Sequence, residues 1–120
     1  MEQDLKRARA LLSEKRLGFP VQEEAPEPAP ESIGAIGGIQ FVAKDPDVSA
    51  TVYVFEEWPD EDAITPQLEA QLPMDDESVY TISGMNGTLL FFGVTRLDGP
   101  HGKKARDRLN EMRSNFAGRE

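Results

Sequence analysis

The stretch VYTISGMNGTLLFFGV, residues 79–94, is the most apolar run in an otherwise acidic chain, and its reading decides the fold. Asn-Gly between two β-rich apolar runs is the strongest short-range hairpin signal, because a type I′ turn needs φ > 0 at both central residues. With Asn86-Gly87 as the loop, Met85 faces Thr88, Ser83 faces Leu90, Thr81 faces Phe92 and Val79 faces Val94. Gly84 then faces Leu89, Ile82 faces Phe91 and Tyr80 faces Gly93 on the other side. Apolar residues stand on both sides, which a sheet with one wet face would not show. The hairpin therefore needs cover on both faces: helices on one, and partial cover on the other from the N-terminal helix or a second subunit.

Working outward, Asp98-Gly99-Pro100 turns the chain into a last helix. Ala105, Leu109, Met112 and Phe116 recur there at steps of four, three and four, one clean apolar stripe. Gly118 closes that helix. Upstream, IQFVAK and VSATVYVFEEW read as two strands joined at Asp45-Pro46-Asp47. In the second, Val52 and Val54 point one way and Thr51, Tyr53 and Phe55 the other. Between the strand pairs, a short helix is expected from Pro66 to Leu72, with Thr65 as N-cap, Leu68 and Leu72 on one face and Pro73 as the stop.

The N-terminal residues 2–17 read as a separate amphipathic helix striped by Leu5, Ala8, Leu11 and Leu12, stopped by Gly18 and Pro20. Pro26, Pro28 and Pro30 then alternate with Glu and Ala, the pattern of a stiff, solvated linker. The expected organisation is a helix over 1–18, a Pro/Glu-rich linker over 19–35 and a small α+β domain over 36–120. That domain reads as ββαββα, with a four-stranded antiparallel sheet and both helices on one face.

Charge sorts along the chain. The net of −9 divides into +2 for residues 1–20, −4 for 21–35, −10 for 36–98 and +3 for 99–120. Basic helices lying near an acidic sheet would neutralise one another; otherwise the middle presents an acidic face to a cationic partner. An acidic chain is repelled by phosphate backbones, so no nucleic-acid partner is expected. No apolar run reaches the roughly 18 residues of a membrane span. A cytoplasmic location is the default, and an extracytoplasmic one follows if a signal or anchor precedes Met1.

No catalytic set is legible, and the chain does not read as an enzyme. His101 is the only histidine and there is no cysteine, so thiolate chemistry and sulfur-bound zinc are excluded. No G-x-S-x-G is present, and the glycines of IGAIGGI lack the rest of a phosphate loop. The acidic clusters at 56–57, 60–62 and 75–77 lack the spacing of a calcium loop and read as solvated charge. No metal and no cofactor is expected.

The lack of a catalytic set and an amphipathic helix that cannot bury its stripe alone point to a non-catalytic protein-binding or regulatory module whose N-terminal helix docks in cis or in trans, with a protein partner or self-association as a homodimer. Two alternatives are an extracytoplasmic accessory domain of an anchored or secreted protein and an acidic dimeric chaperone for a secreted protein. The candidate partner-binding residues are Leu5, Leu12, Trp58, Asp60, Glu61 and Asp62. A mutant tests the closing helix: Phe116→Ala should cost about 3–5 kcal/mol in denaturant unfolding, and an unchanged midpoint would remove that helix from the core.

Overall fold

A computed structural model describes residues 2–44, 47–72, 79–97 and 101–117. Its elements are α1 (Glu2–Leu11), α2 (Glu14–Leu17), β1 (Gln22–Glu24), a 3-10 turn (Pro30–Ile33), β2 (Gly37–Ala43), β3 (Val48–Val54), α3 (Glu61–Ala70), β4 (Val79–Asn86), β5 (Leu89–Arg96) and α4 (Gly102–Ala117). The fold is α+β. Its sheet has five antiparallel strands in the order β1-β2-β3-β5-β4.

The sheet is therefore not the expected four-stranded one. The fifth strand comes from the segment read as a linker: Gln22, Glu23 and Glu24 pair with Val42, Phe41 and Gln40. These residues precede the prolines and keep their N–H groups, which an edge strand can use. Phe19 and Val21, four and two residues before Glu23, pack against the core and hold the strand there. The segment then crosses to the other face. Thr51 Oγ1 donates to the Glu27 carbonyl at 3.0 Å and the Tyr53 hydroxyl donates to the Pro28 carbonyl at 2.7 Å. Proline restricts φ but leaves every carbonyl free to accept. A strap of this composition can satisfy buried hydroxyls.

β3 lies in the middle of the sheet and is buried on both sides. Ala50, Val52 and Val54 join a core with Phe41, Leu89, Phe91, Leu109, Met112 and Phe116, which α4 and the N-terminal helices cover. Tyr53 joins a second core with Phe55, Leu90, Phe92, Ile64, Leu68 and Ile33, beneath α3 and the 3-10 turn. α3 and α4 thus lie on opposite faces, correcting the expectation of one shared face. A helix on each side satisfies the two-sided apolar pattern of the hairpin without a second subunit.

The hairpin itself forms, with a register two residues from the expected one. Asn86 pairs with Leu89, Met85 with Leu90, Gly84 with Phe91 and Ser83 with Phe92, so the loop is Gly87-Thr88. Gly87 has φ +63, at the first loop position where II′ turns carry glycine. Asn86 has other work. Its Nδ2 donates at 2.8 Å to the carbonyl of Phe116 near the end of α4, and its own carbonyl accepts from Arg7 at 3.1 Å. A two-residue shift keeps every side chain on its face, so the expected face assignment survives.

α4 lies close on the hairpin because glycine lines its path. A Cβ at Gly93 would meet Leu109 Cδ1 at 2.7 Å, and one at Gly84 would meet Arg113 at 3.1 Å. The expected turns at Asp45-Pro46 and Asp98-Gly99-Pro100, the Pro73 stop and the Gly118 stop lie outside the described residues.

The N-terminal helix breaks after Leu11, where Ser13 Oγ accepts from Arg16 N and caps α2; Gly18, φ 86, ends it as expected. Ala8, Leu12 and Leu17 are buried against the rest of the chain. Phe19 and Val21 pack against the same core, so the chain stays on the domain where it leaves α2. The helix does not stand off on a tether.

α3 also begins earlier than Pro66. Asp60 is its N-cap, accepting from Ala63 N at 3.4 Å, and Pro66 lies within it. The earlier start places Ile64 as well as Leu68 on the second core, and that burial offsets the hydrogen bond Pro66 cannot donate. Thr65 is thus inside the helix rather than at its cap, and its Oγ1 is buried with no hydrogen-bond partner among the described residues. Replacing an unsatisfied hydroxyl by an isosteric methyl removes a desolvation penalty. Thr65→Val is expected to raise stability by about 1 kcal/mol in thermal or urea unfolding; a loss would show that the hydroxyl has a partner in solution.

Candidate functional site

The two layers that cover the sheet carry opposite charge. On the α1/α2/α4 side, residues 2–17 and 101–117 contain ten Lys or Arg against five acids. On the other side, residues 27–36 and 55–72 contain eight acids and neither Lys nor Arg. The basic helices therefore face away from the acidic layer instead of neutralising it. Several of their cations are used as stitches: Arg7, Arg108 and Arg113 donate to the carbonyls of Asn86, Lys44 and Ser83. Arg9 grips Glu23 through both carboxylate oxygens, at 3.0 and 3.1 Å. Arg108 also lies 4.2 Å over the Phe19 ring.

The acidic layer is built on α3 and the loop that precedes it. Backbone bonds fix the chain on either side of it: Ile36 N donates to Val54 O, and Phe55 N to Thr88 O, at the hairpin-tip end of the sheet. Ile36, 46% exposed, and Trp58, 76% exposed, are the large hydrophobic side chains left in solvent among the described residues. Trp58-Pro59 leads directly into Asp60, Glu61 and Asp62 at the start of α3, where the helix dipole favours acids.

These acids differ in their duties. Asp60 caps the helix. Glu61 accepts from the Ser83 hydroxyl, and Glu69 accepts from the Thr81 hydroxyl at 2.6 Å, so α3 is pinned along β4. Glu56, Glu57 and Asp62 are exposed. Leu5 and Leu12 are elsewhere: Leu12 is fully buried in the first core and Leu5 is half-buried against it. The structure thus keeps Trp58, Asp60, Glu61 and Asp62 together and places Leu5 and Leu12 on the opposite side of the sheet. Ile36 and Glu69 belong to the same layer and were not singled out from the sequence. A helix running from Asp60 rather than Pro66 is the signal that would have tied Glu61 and Glu69 to one element.

Between the strap and the C-terminal end of α3 lies an open cavity of about 380 Å³, with Gln40, Ser49 and Val94 of the sheet as its floor and Glu27 and Leu72 at its sides. Beside it, burial holds the Tyr53 phenol well above its ordinary range; the Glu27 charge adds to the shift and the Thr51 hydroxyl opposes it. His101 is exposed at the start of α4. Among the described residues no group of three or more His, Cys, Asp or Glu side chains gathers as a metal site. No helix among them is long and apolar enough to cross a membrane.

Comparison with known proteins adds no assignment: no family model matches the chain, and neither a curated protein nor a solved structure matches it.

The strap can be tested through Tyr53. Its phenol binds its proton more tightly folded than unfolded, so this stabilisation is intact below about pH 10 and fades as pH rises above it. In an ultraviolet phenolate titration, Tyr53→Phe should abolish the late-titrating component and cost about 1 kcal/mol through the lost bond to Pro28. Persistence of that component in the variant would place the bonded phenol elsewhere.

Proposed function

We propose that the protein is a non-catalytic binding module that engages a cationic protein segment through the acidic layer around α3, with Trp58 as the anchor. The observation that carries this reading is an exposed Trp58 beside a one-signed field: eight acids and no base over residues 27–36 and 55–72. Tryptophan left in solvent contributes little to the fold but a great deal at an interface, where it is enriched among the residues that dominate binding. A layer of a single sign steers an oppositely charged partner and selects against like-charged ones. The N-terminal helix serves this module in cis, since its stripe closes the core on the other face.

Trp58 is the only tryptophan, so its emission reports on the surface directly. Titration with a Lys/Arg-rich peptide is expected to shift that emission, and an Asp/Glu-rich peptide of equal length to leave it unchanged. Added salt should weaken the complex, as exposed charges are screened beyond about 10 Å at 0.1 M. Trp58→Ala should weaken binding, measured by calorimetry, by about tenfold or more while the melting temperature holds. Equal binding of the two peptides, or full affinity in Trp58→Ala, would refute the reading.

A further inference from the structure

The two edges of the sheet are guarded very differently. β1 is three residues long, carries Glu23 and Glu24, and has Arg9 clamped on Glu23. β4 runs for eight residues, VYTISGMN, with no Asp, Glu, Lys, Arg or Pro among them. Edge strands expose unpaired N–H and C=O groups, and sheets usually blunt them by shortness, charge or proline. β4 has none of these along its own length.

The hairpin fixes which backbone groups face outward. Asn86 and Leu89 close a two-residue loop and so exchange hydrogen bonds. Alternation then turns Tyr80, Ile82, Gly84 and Asn86 toward β5, and Val79, Thr81, Ser83 and Met85 away from it. Arg113 agrees with this parity: its Nε donates at 2.6 Å to the Ser83 carbonyl, one of the outward acceptors. No strand among the described residues pairs with the rest of this edge.

We propose that β4 is a docking edge to which an extended segment of a foreign, cationic protein adds as a sixth strand. This deepens the binding-module reading and rests on it. The occupant is chosen by charge. The side chains of Thr81 and Ser83 face α3, where they donate to Glu69 and Glu61. Residues opposite them on an added strand would project to the same face and meet both carboxylates. Residues between them would lie on the other face, beside half-buried Tyr80 and Ile82. The segment that fits alternates a basic with an apolar residue. A second copy fits badly, because antiparallel pairing of two β4 strands keeps the faces aligned and brings the two α3 acidic layers alongside each other.

The test uses the full chain and three capped synthetic peptides of one composition: alternating Lys and Val, the same peptide N-methylated at alternate amides, and one with Lys and Val in separate blocks. The alternating peptide is expected to bind by calorimetry and to shift Trp58 emission. Methylation of the amides that face β4 should weaken it about tenfold or more, the value of two lost hydrogen bonds. A Glu61→Gln, Glu69→Gln double variant, whose amides can still accept from Ser83 and Thr81, should lose affinity without a fall in melting temperature. Binding that ignores methylation and blocking would overturn strand addition and leave the binding module standing. Failure of all three Lys peptides would overturn both. A dimer in light scattering that Thr81→Lys dissolves would make a second copy the occupant and overturn the foreign segment.

Discussion

The fold depends on burying β3 on both of its faces. Val52 and Val54 on one side and Tyr53 on the other are wholly removed from solvent. A strand in that position cannot be closed by a single layer of helices. One face takes α4 and the N-terminal helices; the other takes α3 and the strap. The demand is polar as well as apolar. Thr51 and Tyr53 bring hydroxyls into the interior, and a buried hydroxyl without a partner costs about 1–3 kcal/mol. The carbonyls of Glu27 and Pro28 supply the acceptors. A proline-rich segment thus becomes part of the core's boundary because β3 needs what its backbone can offer.

The helix layer is joined to the sheet in a way that decides where charge remains. Gly84 and Gly93 let α4 approach until side-chain contact is close, and Phe91 and Phe116 meet with ring centroids 5.5 Å apart. The rim is then stitched by guanidinium groups on carbonyls at Asn86, Lys44 and Ser83. A guanidinium on a carbonyl gains a charge-assisted hydrogen bond but cancels no negative charge. Three of the helices' cations are thus spent on backbone, and the acids of the α3 layer lie on the opposite side of the sheet.

Much of this was legible in the residues, and the misreadings have physical reasons. Period-two alternation at residues 48–55 and period-3.6 spacing at 105–116 identified β3 and α4, because burial on a defined face leaves a strong pattern. The hairpin was legible too, but Asn86-Gly87 was not the loop: the Asn86 amide reaches Phe116, a contact thirty residues away that local turn chemistry does not contain. Pro66 argued for a late helix start, and burial of Ile64 outweighed it. Pro26, Pro28 and Pro30 read as solvated because alternation with Glu carries no apolar signal; the attraction lies in backbone carbonyls. Trp58 and the acids at 60–62 were readable as a candidate surface. Leu5 and Leu12 were readable only as an apolar stripe, since a stripe says that something is covered and not by what.

The division of labour among the acids strengthens the link between fold and surface. Asp60, Glu61 and Glu69 hold α3 to its place through a cap and two hydroxyls, so they cannot be removed without loosening the layer. Glu56, Glu57 and Asp62, all exposed, make no comparable bond among the described residues. Like charges gathered on one side of a small domain oppose the compact state, and a domain this size has only a few kcal/mol to spare. Exposed Trp58 and Ile36 contribute little to either core, and carboxylates around them raise the repulsion without improving the packing. A chain under selection for stability alone would lose these groups readily. Their concentration on the side of the sheet that α3 covers is not accounted for by packing alone.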